Sequence, residues 1–248
     1  MEWQAPAIVL SARPHGEGGA VVSVLTEAQG RHAGLVRGGA SRGQAATWQA
    51  GNLVEARWVA RLAEQLGALS GELARPAAAL AMEDPLSLAL LGAACAVAEG
   101  ALPEREAHPQ VFHGLLAIIV RLPGEPAALL PDYVRWEAGL LAEIGYGLDL
   151  SRCAVTGEME GLAHVSPRTG RAVSEAAAGP WRERLLPLPG FLLGPERDRA
   201  NDRSGPAAWA AGLRLTGHFL ARDAFGQFGR PLPVPRLLLA DRVAGLAG

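Results

Sequence analysis

The chain changes character at Arg75-Pro76, and that break constrains the fold more than any single motif. Before it, β-branched runs alternate with glycine-rich connections. Ile8-Val9-Leu10 and Ala20 to Leu25 flank the loop Arg13-Pro14-His15-Gly16-Glu17-Gly18-Gly19. Gln29-Gly30 turns the chain into Arg31 to Val36. Asn52 to Ala60 alternates around Val54, Ala56 and Trp58, and Leu66 to Leu73 offers a fifth run. β-branched and aromatic side chains fill a pleated surface, while Gly and Pro supply the turns between strands. Short strands packed this closely predict a small barrel, with the five-stranded Greek-key OB-fold as the leading topology. Periodicity alone leaves an SH3-like barrel open.

After the break the hydrophobic period becomes helical. Asp84-Pro85 pairs an N-cap acid with Pro at N1 and starts a helix to about Gly100. His108-Pro109 opens another, stopped by Pro123-Gly124. In a third, from Asp132, the residues Tyr133, Trp136, Leu140 and Ile144 share one face. Residues 151 to 200 read as irregular. Ser204-Gly205-Pro206 begins a fourth helix through Arg222, and Pro235 a last short one. The expected class is α+β: residues 1–76 form an OB-fold nucleic-acid-binding domain, residues 77–150 the first part of a helical domain, residues 151–203 an insertion, and residues 204–248 the C-terminal part of the helical domain.

Composition removes whole classes of chemistry. All 23 basic residues are arginine. Without lysine there is no Walker A loop, no Schiff base and no Ser-Lys mechanism. No H-E-x-x-H signature and no G-x-G-x-x-G after a strand occurs, and the histidines do not cluster, so the expectation is a protein that is not an enzyme. The acidic pairs Glu83-Asp84 and Glu104/Glu106 read as helix-start residues favoured by the macrodipole. Two cysteines, Cys95 and Cys153, are too few for a disulfide framework or a cysteine-built zinc site. The start, MEWQAPAIVL, lacks a basic n-region, and the longest apolar run, Pro85 to Ala98, is too short for a bilayer. A cytoplasmic, nucleoid-associated protein without a membrane partner is expected.

Net charge is only −2, but the charges are segregated. Leu80 to Glu160 holds 12 acids against 4 arginines, whereas Arg31 to Arg61 holds 5 arginines and the single acid Glu55. Guanidinium groups on a Gly-rich loop match phosphate oxygens, so Arg31, Arg37 and Arg42 are the leading nucleic-acid candidates, with Arg57 beside them. Trp48 is a candidate for stacking on bases, and Trp58, mid-strand, reads as core. On the third helix a second stripe begins with Arg135 and continues through the small residues Gly139 and Ala142. An arginine above a shallow groove is a dock for a peptide ending in a carboxylate.

Three segments together carry a resemblance. They are the opening A-I-V-L-S-A-R-P, the run G-R-x-x-x-L-V-R-G-G-A-S-R from Gly30 to Arg42, and R-W-E-x-x-L-L-x-x-I-G-Y-G-L-D-L-x-x-C from Arg135 to Cys153. In this order they resemble the RecO family of bacterial recombination mediators across nearly the whole chain. The resemblance implies binding of single- and double-stranded DNA, annealing of complementary strands, and action with RecR to load RecA onto DNA coated by single-stranded-DNA-binding protein (SSB). It also implies that Arg135 matches the basic residue that receives the SSB C-terminal tail. The insertion resembles that family's zinc-ribbon region, but Cys153 stands alone. Thr156, Ser174 and Ala177 take the places of the other ligands, so no zinc or other cofactor is expected. The rival readings are a barrel module binding structured RNA and a metal-dependent enzyme with a site in the insertion.

Overall fold

In a computed structural model of the chain, residues 1–62, 65–194 and 205–247 are described. β1 (Glu2–His15) is long because it serves two partners. Its first half pairs antiparallel with β4 (Leu53–Val59), Trp3 opposite Trp58. Its second half pairs with β2 (Gly19–Thr26), and the register shifts between Val9 and Ser11. β3 (Gly30–Val36) follows β2 as a hairpin, and β5 (Ala68–Arg75) returns along β4. Leu35 meets Ala68 in parallel, which closes the barrel in the order β1-β2-β3-β5-β4. The short helix α1 (Arg42–Ala45) lies between β3 and β4. This topology is the OB-fold.

Alternation fills the barrel. Val9, Val22, Val24, Val36, Val54, Ala56 and Leu69 point inward around Trp48 and Trp58. Each fully buried Val or Leu contributes about 1.5–3 kcal/mol relative to exposure. The Trp58 indole donates to the carbonyls of Ala33 (3.2 Å) and Leu66 (3.0 Å). Gly67, at φ +71°, leaves room for that ring: a Cβ there would lie 2.5 Å from the indole.

By its contacts the chain divides into two units, Met1–Pro126 and Ala127–Gly248. The first therefore includes α2 (Ala77–Ala81), α3 (Pro85–Ala101) and α4 (Pro109–Arg121), and the division falls inside the stretch 77–150. Asp84 caps α3, accepting from the Ser87 amide at 2.7 Å. Polar contacts fasten these helices to the barrel. Ser11 donates to Glu99 at 2.6 Å, and the Ala78 amide donates to Asn52 Oδ1 at 3.0 Å.

The second unit holds α5 (Leu130–Glu143), α6 (Glu175–Ala178), α7 (Pro206–Phe219) and α8 (Val234–Leu246). Its core contains an ion pair. Glu137, fully buried, accepts from Tyr133 Oη (2.7 Å), Thr216 Oγ1 (2.5 Å), and Arg236 Nε (2.5 Å) and Nη2 (2.9 Å). Arg236 also donates to the Leu213 carbonyl at 2.8 Å, so α5, α7 and α8 meet at one carboxylate.

The α+β class and the five strands match the sequence reading. The insertion departs from it: residues expected to be irregular form a three-stranded sheet, β7-β6-β8, from Leu162–Val165 (β6), Ala172–Ser174 (β7) and Leu186–Pro187 (β8). The expected helix start at Ser204 and the 203/204 boundary lie outside the described residues. Among those residues no helix is long and apolar enough to cross a membrane.

Candidate nucleic-acid and peptide interfaces

At one end of the barrel two connections meet. The Ala40 amide donates to the Gly18 carbonyl at 3.2 Å, joining the segment after β3 to the β1–β2 turn. The Leu35 amide donates to the Gly67 carbonyl at 2.9 Å, tying the end of the β4–β5 connection to β3. Arg37 in the turn after β3 and Arg42 at the head of α1 are both exposed here.

Two predicted residues are placed elsewhere. Arg31 lies on β3 and not on the loop. Its side chain is 17% exposed, because Nε donates to the Leu102 carbonyl (2.9 Å) and Nη1 meets Glu104 (3.2 Å). Glu104 is therefore a partner of the barrel and not a helix-start residue. Trp48 is 1% exposed and belongs to the barrel core, where Gly71 makes space for its ring, so it offers no face to a base. Sequence pattern missed both because a loop arginine and a strand-end arginine read alike, as do a core and a surface tryptophan. Arg57 is exposed on β4 but paired with Glu2 at 2.6 Å. The hydrogen bond between them holds the Arg57 guanidinium above its ordinary range and the Glu2 carboxyl below it.

Arg105 was not anticipated. It has φ +62°, the only positive value at a non-glycine among the described residues. Its amide donates to the Arg31 carbonyl (2.8 Å) and its guanidinium to the Gln65 carbonyl (3.0 Å), bracing the β4–β5 connection. Such backbone strain, read from sequence, leaves no signal.

On α5 the tail-binding candidates share the outward face. Arg135, Gly139 and Ala142 are exposed, and a Cβ at Gly139 would meet nothing within 4 Å. The Arg135 guanidinium is already engaged. Nη1 pairs with Asp132 one turn earlier at 2.8 Å, and Nε donates to the Phe191 carbonyl at 3.1 Å. The group lies 5.5 Å from the Phe191 ring centroid. The site thus has an open stripe of small residues headed by an oriented cation that is paired with Asp132.

Cys153 is 1% exposed and sits against Ser174, whose amide (3.3 Å) and hydroxyl (3.5 Å) both donate to Sγ. Burial opposes the thiolate, but these donors and those of Thr156 outweigh it and bring the thiol down to about 6. Among the described residues no three His, Cys, Asp or Glu side chains are grouped to hold a metal. His164 bonds Glu175 at 2.9 Å, and Glu175 also meets Arg182 at 2.9 Å. These three line a cavity of about 900 Å³ together with Leu188, Pro206 and Ala211.

A closed OB barrel with arginines on its connections, followed by a helical unit, is the architecture of an oligonucleotide-binding-fold protein with a second, helical part. Comparison with known proteins gives the family. The model of Recombination protein O N terminal matches residues 1–77, and that of Recombination protein O C terminal matches residues 82–230. The DNA repair protein RecO of Granulibacter bethesdensis is 59% identical over 246 residues, covering 99% of this chain and 97% of that protein. That of Acidiphilium cryptum is 58% identical over 243 residues, 98% and 96% of the two chains. That of Caulobacter sp. strain K31 is 48% identical over 248 residues, 100% and 99%. This chain belongs to the RecO family.

Proposed function

We propose that this chain is a recombination mediator of double-strand break and gap repair. It binds single- and double-stranded DNA, anneals complementary strands and helps load recombinase onto SSB-coated strands, with RecR and the SSB tail as partners. No covalent chemistry is involved, and its site of action is the nucleoid. The observation that carries this reading is the barrel end at which Arg37 and Arg42 stand exposed on converging connections. Guanidinium groups there hold phosphates electrostatically and without regard to sequence, while backbone turns at Gly18 and Gly38 let the strand approach closely. The family's full-length match supports the DNA reading. The exposed Arg135 stripe supports capture of an acidic peptide whose terminal carboxylate displaces Asp132 from the guanidinium.

Salt titration of DNA binding tests the first part. Arg37→Ala with Arg42→Ala should weaken binding and shrink the log-log salt slope by about two. Unchanged affinity and slope would exclude this barrel end as the DNA site, and tighter binding of RNA than of single-stranded DNA in competition would favour an RNA module. Calorimetry with the SSB tail peptide tests the second. Arg135→Ala should weaken it by roughly ten- to a hundredfold, the loss of a charge-assisted hydrogen-bonded pair. Equal affinities would remove Arg135 from the role.

A further inference from the structure

Among the described residues, which include all six tryptophans, only Trp181 is exposed, with 58% of its surface open to solvent. It lies in the 3₁₀ segment Gly179–Arg184, sequence G-P-W-R-E-R, in the second unit. A 3₁₀ turn has three residues, so side chains at i and i+3 eclipse one another. Arg184 accordingly lies over the indole, its guanidinium 5.3 Å from the ring. Arg182, between them, is 65% exposed and paired with Glu175 at 2.9 Å. An aromatic ring with an arginine over one face is an arrangement that holds an unpaired nucleotide: the base stacks on the other face, and the Arg184 cation meets the adjoining phosphate. A duplex offers no free base face, so the arrangement selects single strands.

We infer that Trp181, with Arg184, forms a contact for single-stranded DNA on the second unit, in addition to the barrel loops. This rests on the DNA-binding reading above. It gives the chain two separate places at which a strand is held, one governed by phosphates and one by a stacked base.

The test uses the full chain and an unlabelled oligothymidylate. The other five tryptophans are buried or half-buried, so a stacked base should quench the solvent-exposed part of the emission. The quench should vanish in Trp181→Ala. Affinity should fall roughly five- to a hundredfold in that variant, since stacking on one aromatic ring contributes on the order of 1–3 kcal/mol per base. Trp181→Phe should retain most of the affinity, and Arg184→Ala should lower the salt slope by about one. Both side chains are exposed, so melting temperatures should not move. If Trp181→Ala bound like the wild type while the Arg37/Arg42 variant lost affinity, this inference alone would fall. A wild type that bound no DNA would overturn both readings. Quenching by an acidic peptide but not by the oligonucleotide would make Trp181 a protein contact and overturn the inference.

Discussion

Cys153 and Cys95 are both buried, yet their surroundings drive the two thiols in opposite directions. Burial, with the nearby Glu99 charge, pushes Cys95 up to about 12, whereas donors from Ser174 and Thr156 bring Cys153 down to about 6. A folded-state pKa below the unfolded one adds stability above the ordinary thiol range, and this is lost as pH falls through about 6. Ultraviolet titration should find one thiolate forming below pH 9, and Ser174→Ala should move that midpoint upward. An unmoved midpoint would mean that the Ser174 contacts do not set it. The arginines show how far single residues can be read in advance. Arg37 and Arg42 stand exposed where the Gly-rich pattern put them, because glycines keep the surrounding chain at the surface. Arg31 could not be read, since its acceptors, the Leu102 carbonyl and Glu104, arrive from a distant segment.

Elements were legible in proportion to their length. Five strands and the long helices announce themselves because several turns or alternations accumulate a period. β6, β7 and β8, at 4, 3 and 2 residues, are too short for any period to register. The partner of Glu137 was equally hidden: Arg236 lies 99 residues away on a helix of low amphipathic contrast. Glu137's charge outweighs the burial that opposes ionisation and holds Arg236 well above its usual range. Removing one partner strands a buried charge, so Arg236→Ala should cost about 3–5 kcal/mol in denaturant unfolding. Replacing both, as Glu137→Leu with Arg236→Met, should recover much of that loss. A double variant as unstable as the single one would show that the pair stabilises more than it costs.

At the scale of the molecule, the charge segregation read from composition has a physical counterpart. Acids from the start of the acidic stretch belong to the same unit as the arginine-bearing barrel: Glu99 on α3 and Glu104 beyond its end are engaged by Arg13 and Arg31. The sequence break at Arg75-Pro76 therefore marks a change of secondary structure inside the first unit, and composition could not reveal that the helices beyond it fold back onto the strands. Gly30 makes the point most sharply. At φ +66° it lies so close to the next segment that a Cβ would stand 1.9 Å from the Glu106 carbonyl oxygen. A fragment cut at the end of β5 would leave this face of the barrel bare, the Arg31 guanidinium without its acceptors and Asn52 without the Ala78 amide. Recombinant residues 1–76 should therefore aggregate or melt far below residues 1–126, as scanning calorimetry would register, so the smallest autonomous piece for dissecting this molecule ends after α4, well past its last barrel strand.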